Sequence, residues 1–440
     1  MHIDIAIIIF VLLGSRDILY SSNGIEKSFI WIIWSFCLGY RTLVITSWLF
    51  FHPIEIFSLM AILRIIATNH EKKNKIPTIH KATFFMFFLV FLSGFQNFGV
   101  ISLFEFKSIS IFYQLLFISQ YIEFKKVTFY RMMESYLIPV FYISFFGLVE
   151  FTFPAIASAI FQYDSANFQN PINSTVSNIL FNRLAFLFWG THLAANLLTP
   201  VFPILIYLRL KKHWLTQNYF ILSSAIILFL ITIYLSGNRI SWLILTSMLL
   251  ILLIFFRNAR IYKLKSYSII IVGFFVFMVY SLPATRRYIS IFESLTLNID
   301  TSYDASSSKR LEFIKYGFDI IQNNFFGVGW GKLMWFHSDF LQITTATGVI
   351  PGLFFIGSIL FFMVKVFRYF KHTRKHTKLI ETNVEIFLVL NLVIFIVISL
   401  AMNGNYALVQ TGAPIFILWV ISENYINYCI KNQNKKRVFE

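Results

Sequence analysis

An all-α polytopic membrane protein is expected from three properties of this sequence: 58% of the residues are apolar, only 13% are charged, and basic clusters recur between pairs of apolar stretches. A soluble domain carries about 25% charged residues. With 54 phenylalanines in 440 residues and a mean hydropathy of +0.71, the chain has more apolar surface than a soluble core could hide. The composition excludes a soluble enzyme, a disordered chain and a collagen-like fibre, and it calls for spans of about 20 apolar residues each. The 37 Lys and Arg outnumber the 20 Asp and Glu, for a net charge of +17. In a soluble protein this would point to nucleic acid. Here the recurrence of the clusters makes it topogenic charge in cytoplasmic loops, with no nucleic-acid partner. Cys37 and Cys429 cannot build a disulfide framework or a metal site by themselves. Met1–Gly14 is apolar but lacks a basic n-region and a small-residue cleavage site, so no cleavable signal peptide is expected.

The elements follow from the alternation. Basic clusters stand at Lys72, Lys73, Lys75 and Lys81; at Lys125, Lys126 and Arg131; at Arg209, Lys211 and Lys212; at Arg257, Arg260, Lys263 and Lys265; from Lys365 to Lys378; and from Lys431 to Arg437. Between them the apolar pattern predicts spans near 82–104, 108–122, 136–160, 184–208, 219–236, 239–256, 267–282, 349–367, 384–401 and 406–427, with Lys107, Arg183 and Arg239 in opposite, external loops. Further apolar stretches at 3–20, 28–50 and 53–67 bring the total to about 12 transmembrane helices. Their flanking charges nearly cancel, which leaves their sidedness open. No repeat of fixed period and no linker divides residues 1–440, which read as a single integral membrane domain.

Two external connections are long enough to do chemistry, 161–183 and the large periplasmic loop 283–348. Loops of such length are often functional. The second contains short helices. Leu311, Ile314, Phe318 and Ile321 recur at helical spacing, as suits a helix lying on the membrane or on the bundle, and Ser306, Ser307 and Ser308 precede it as candidate N-caps. A second helix is expected from Ser338 to Thr347, stopped by Gly348 and Pro351.

Polar side chains gather at this side of otherwise apolar segments: Arg183 at a span start, Arg239 in the turn Ser236-Gly237-Asn238-Arg239, Arg310 at the start of the amphipathic helix, and His337 before Ser338 and Asp339. His192 and Asn196 lie one helical turn apart within a span. Ionisable groups at membrane depth are functional candidates. Each also has a plainer role open to it. Arg183 and Arg239 could snorkel to the interface, Arg310 could face water, His337 could be a surface histidine, and His192 and Asn196 could bond a neighbouring helix.

The run from Gly327 to Lys332 is not a phosphate loop. Three residues rather than four precede Gly331-Lys332, and Leu333 follows where Ser or Thr is needed. The glycines suit a tight turn. The chain contains no Asp-x-Asp, and the external acids Glu293, Asp300, Asp304, Glu312, Asp319 and Asp339 are scattered, so a metal-held diphosphate is disfavoured and no metal or other cofactor is expected.

Asn323-Asn-Phe-Phe-Gly-Val-Gly-Trp-Gly331, followed by His337-Ser-Asp-Phe-Leu-Gln342 and a glycine-bearing span to Gly352, resembles the signature of bacterial O-antigen polymerases and ligases. Ser236-Gly-Asn-Arg239 is similar to that family's Ser-x-Ser-Arg turn, with Asn238 in place of Ser, and the span carrying Arg183, Gly190 and Asn196 is similar to its central span. The resemblance implies a glycosyltransferase of the bacterial inner membrane whose site lies on the periplasmic face. Its donor and acceptor would be oligosaccharides linked to undecaprenyl pyrophosphate. Arg183, Arg239 and Arg310 would bind the pyrophosphate, His337 would act as base, and His192, Asn196 and Asp339 would be secondary. The form His-Ser-Asp-Phe-Leu-Gln is closer to the polymerases than to the ligases, which transfer finished glycan to lipid A–core. A flippase of lipid-linked oligosaccharide is the alternative from another class, but the chain has no related halves with interrupted helices. Membrane lipid is a necessary partner; whether a polysaccharide chain-length regulator binds is left open.

Overall fold

The computed structural model describes residues 5–38, 43–46, 49–98, 100–153, 191–236, 238–255, 305–330, 336, 338–376, 384–402 and 409–439, and nearly all of these are helical. The N-terminal part holds α1 (Ile5–Tyr20), α2 (Gly24–Trp34), a 3-10 turn (Ser35–Leu38), a ribbon of β1 (Leu43–Thr46) and β2 (Leu49–Phe51), and α3 (Pro53–Thr68). The strands run antiparallel, with Leu43 opposite Phe51. The stretch 28–50, expected as a span, is therefore corrected. α2 has 11 residues and so rises about 16 Å, roughly half the hydrocarbon thickness. β-branched and aromatic residues beyond it favour the ribbon. Asp17 closes the α1–α2 turn, accepting from Lys27 Nζ at 2.6 Å and Trp31 Nε1 at 3.1 Å. A capping box opens α3: His52 Nδ1 accepts from the Ile54 N–H, and the His52 N–H donates to Glu55 Oε2 at 2.7 Å.

The helices that follow are α4 (Thr78–Phe98), α5 (Val100–Ser119), α6 (Lys126–Ser135), α7 (Leu137–Thr152), α8 (Thr191–Leu198), α9 (Val201–Leu210), α10 (Trp214–Gln217), α11 (Tyr219–Ser236), α12 (Arg239–Phe255), α13 (Ala305–Asn323), α14 (Asp339–Thr347), α15 (Val349–His376), α16 (Val384–Met402) and α17 (Val409–Phe439). Four helical stretches among the described residues are long and apolar enough to cross a membrane: Thr78–Gln96, Lys126–Val149, Val349–Thr373 and Val384–Met402. Shorter apolar helices fall on most of the other expected spans. The span at 267–282 lies outside the described residues. The total of about twelve rests on the sequence pattern. Lys107 also needs correction. It does not sit in a connection but within α5, where Glu55 of α3 pairs with it at 2.9 Å, so the cation is tolerated within a mostly apolar helix.

The four long stretches divide into lipid-facing and central ones. Burial within the protein takes in 78% of the α16 stretch but 22% of the α4 stretch, so α16 is the axis and α4 shows most of its surface to lipid. α16 packs against α9, α12, α14, α15 and α17, which makes it a common backing for the elements that begin at Arg239 and Asp339. A buried charge cluster holds the basic end of the bundle. Glu423 of α17 accepts from Lys365 Nζ of α15 at 3.2 Å and from Trp419 Nε1 at 3.1 Å, and it meets His80 Nε2 of α4 at 3.1 Å. At the same end Lys211 reaches Glu385 of α16 at 2.5 Å.

Breaking a buried pair leaves an uncompensated charge, at a cost of about 3–5 kcal/mol. Glu423→Ala should therefore lower the thermal midpoint of the detergent-purified protein sharply. Adding Lys365→Met to Glu423→Gln should recover much of the loss, since no buried charge is then left. Equal midpoints for the Glu423→Ala single variant and the native protein would show that water reaches the cluster.

Candidate functional site

The glycine-rich loop and the short helix after it fold into one clasp. The Val328 N–H donates to the Thr345 carbonyl and the Gly329 N–H to the Ala346 carbonyl, both at 2.9 Å, and the Val349 N–H returns to the Phe325 carbonyl at 3.0 Å. Gly327 and Gly348 both have positive φ, +85° and +91°, where a side chain is strained. They also meet each other. A Cβ on Gly327 would run into the Gly348 nitrogen and the Ala346 carbonyl, and one on Gly348 would lie 2.6 Å from the Phe326 carbonyl carbon. The tight turn expected of these glycines is present, and their spacing is set by this back-to-back contact. α14 runs from Asp339 to Thr347 with Ser338 as N-cap, its side chain accepting from the Leu341 N–H, and with Gly348 as C-cap. That agrees with the helix expected from Ser338 to Thr347. Pro351 lies in the first turn of α15, where its missing N–H costs nothing.

Trp330 anchors the clasp to the bundle. Its side chain is fully buried, its indole N–H points to the Phe87 carbonyl at 3.4 Å, and its own carbonyl accepts from Ser102 Oγ at 2.6 Å. Gly94 of α4 gives it room, since a Cβ there would lie 3.3 Å from the Trp330 nitrogen. Sequence reasoning passed over Trp330, Gly94 and Ser102. A tryptophan inside a glycine run was the available signal.

α13 covers the clasp from the other side, and of the two partners open to its apolar stripe, membrane or bundle, the stripe does not take the bundle. Gly317 is the buried position, and a Cβ there would lie 2.6 Å from Leu341 Cδ2. Ile314 is 38% exposed and Phe318 56% exposed, so the stripe that includes them turns outward. Lys315, Asp319 and Gln322 are exposed on a third face. The helix thus has a packing face, an apolar outward face and a polar face, as suits a helix seated where bundle, lipid and water meet. Ser306, Ser307 and Ser308, expected as N-caps, fall within its first turn, because the helix begins at Ala305.

Of the candidate residues, His337 and Arg183 lie outside the described residues. Both chain neighbours of His337 are fixed. Phe336 is buried with its ring stacked 6.3 Å from that of Tyr316 on α13, and Ser338 caps α14. Arg310 stands in α13 seven residues, about two turns, before Gly317, so its backbone lies on the packing face. Arg239 opens α12. Asn238, buried just before it, accepts from the Ile240 N–H at 2.9 Å, so Asn does there the capping work that Ser could do. His192 and Asn196 share α8, and Asn196 is buried. Asp339 is fully buried in the first turn of α14, a place that favours a carboxylate. Among the described residues His, Cys, Asp and Glu form no group of three able to hold a metal.

The clasp predicts which changes break the site. Gly327→Ala and Gly348→Ala each add a strained φ and a backbone clash, so both proteins should accumulate poorly or melt well below the native one. Ser338→Ala should cost about 1 kcal/mol, as for the loss of an N-cap. A normal melting midpoint for Gly348→Ala would mean that the two strands of the clasp part easily.

Residues 224–357 match the family model described as O-antigen ligase. The match takes in Arg239, Arg310, His337 and the whole clasp; Arg183 falls before it. A search of curated proteins found no matching sequence. The matched region is the one whose residues resemble that family, and the match supports the O-antigen polymerase and ligase family, one of glycosyltransferase-like enzymes, for this apolar helical chain.

Proposed function

We propose that the protein is an O-antigen polymerase of the bacterial inner membrane, working on the periplasmic face. It would transfer the growing glycan from undecaprenyl pyrophosphate to the end of a lipid-linked repeat unit. The observation that supports this reading is that the residues flanking His337 in sequence have defined places: Phe336 stacks on Tyr316, and Ser338 caps the short helix of the clasp. In the reaction the acceptor hydroxyl gives its proton to the His337 imidazole and attacks C1 of the donor sugar. The bond from C1 to the pyrophosphate oxygen breaks, and undecaprenyl pyrophosphate leaves with the electron pair. A single displacement inverts the anomeric configuration. Arg183, Arg239 and Arg310 supply forked donors to the departing phosphates, stabilising charge that grows in the transition state. A histidine has the right basicity near neutral pH. His192, Asn196 and Asp339 would support this site from the bundle.

A ligase that passes finished glycan to lipid A–core would use the same chemistry, and the matching family takes in both activities. The form His337-Ser-Asp-Phe-Leu-Gln342 supports the polymerase instead. Lipopolysaccharide from a deletion strain distinguishes them. Single-repeat lipopolysaccharide is expected here; bare core would make the protein a ligase.

Arg239→Lys and Arg310→Lys keep the charge but lose the fork, and both should lose most polymer at normal protein level. His337→Gln should slow elongation by roughly 10²- to 10⁴-fold with donor binding retained. Elongation by purified His337→Gln at the native rate would remove the histidine from the chemistry. A reporter fused near Asp304 should read periplasmic, and one at Lys375 cytoplasmic; a cytoplasmic signal at Asp304 would overturn the proposed site.

A further inference from the structure

From the basic end of the bundle, α3, α4 and α5 enclose a groove of about 480 Å³ that runs as far as Phe106, whose ring lies 6.4 Å from that of Trp330. Ile62, Ile76, Phe84, Phe88 and Phe106 line it, and Lys81 stands in its wall. Phe84 and Phe88 are partly exposed, so the groove opens toward lipid along a helix that is mostly lipid-facing. Its polarity changes along its length. Lys81 and Phe88 are seven residues apart on α4, about 10 Å, so a cationic rim stands above an aromatic trough.

The rim is built rather than incidental. The N–H groups of Lys73 and Asn74 both donate to the Gln120 carbonyl, at 2.7 and 2.9 Å, and Asn74 Nδ2 donates to the Ile122 carbonyl at 2.8 Å. These bonds pin the loop to the end of α5, whose last turns supply Leu116 and Phe117 to the groove. Lys72, Lys73, Lys75 and Lys81 are all exposed there; the acids beside them are Glu71, 3.6 Å from Lys73, and Glu123, which pairs with Lys125 at 3.0 Å. By its charge this end faces the cytoplasm. Basic pockets between spans on that side take anionic headgroups.

We propose that this groove binds an anionic diacyl phospholipid, with the phosphate at the lysine rim and one acyl chain along Phe84, Phe88 and Phe106. A zwitterionic lipid would fill the trough equally well but would answer the lysines poorly. The site also touches the charge cluster that joins three helices, because His80 lines the groove and meets Glu423 on its other side. A bound lipid would therefore brace α4 against α15 and α17.

The test uses the full-length protein in detergent, delipidated and then mixed with phosphatidylglycerol, phosphatidylcholine or undecaprenyl phosphate. Phosphatidylglycerol should raise the melting midpoint by several degrees more than phosphatidylcholine, and native mass spectrometry should retain one phosphatidylglycerol per chain. Lys75→Glu with Lys81→Glu should abolish that preference, and the milder Lys75→Gln with Lys81→Gln should weaken it should the first pair not fold. Lys371→Glu with Lys431→Glu, an equal charge change elsewhere, should leave it intact. Equal shifts from both phospholipids, or a preference that survives the Lys75 and Lys81 changes, would overturn the proposal. So would a lysine-dependent shift from undecaprenyl phosphate alone, which would give the groove to a prenyl lipid.

Discussion

Gly327 and Gly348 meet with no space for a side chain between them, and the arrangement of the candidate site depends on that contact. It lets the loop 325–329 lie against the end of α14 closely enough for main-chain bonds to form across the gap. Each such bond is worth only about 0.5–1.5 kcal/mol net. Their value lies in registration. With the loop in register, Trp330 reaches its place between α4 and α5, Leu341 meets Gly317 of α13, and Thr344 packs against Gly352 of α15. A single short helix is thereby tied to four others.

Where the sequence carried punctuation, the structure was legible from it. α11 has the bounds that its apolar run and flanking polar residues imply, and α14 ends at the Gly348 that was expected to stop it. The failures share a different cause, which is tertiary context. The apolar run at 28–50 has the composition of a span, but β-branched and aromatic residues also suit a strand, and the chain turns back on itself. Lys107 looked like a loop residue because a lone cation in a span is costly; its partner Glu55 is 52 positions away and invisible to any local pattern. For the helix carrying Ile314 and Phe318 the spacing left membrane and bundle open; these side chains turn outward, and the position that packs on the bundle is a glycine. In a membrane protein an apolar stripe has two possible partners, protein and lipid, and spacing alone cannot choose between them. Of the site, the clasp's glycines and the cap were readable, and Trp330 was not read. The convergence of Arg183, Arg239 and Arg310 with His337 remains an inference from residue type.

The two ends of the bundle are stabilised by different physics. At the end that holds the clasp, order comes from close backbone approach and a buried indole. At the basic end it comes from charge, with Glu423 gathering His80, Lys365 and Trp419, and Glu385 receiving Lys211. Glu423, His80 and Glu385 are buried, so these charges depend on one another and on their lysine partners to offset the desolvation.

That division bears on how the proposed transfer could proceed. The leaving group carries most of the developing charge, and preorganised cations help only when they do not have to move to meet it. Arg239 opens a helix whose cap is formed by a buried Asn238, and Arg310 belongs to a helix locked by Gly317 against Leu341, so both backbones are held by packing that the substrate does not supply. The acceptor side has a comparable anchor in Phe336 and Ser338. α16 stands behind both α12 and α14, and a shift of either relative to it would change the separation between the helix starts at Arg239 and Asp339, and with it that of the proposed phosphate donors and base. Misplacement of about 1 Å can cost a factor of about 10² in rate. The axial helix would then matter to catalysis without touching substrate, through the spacing it imposes on the two helices that begin at Arg239 and Asp339.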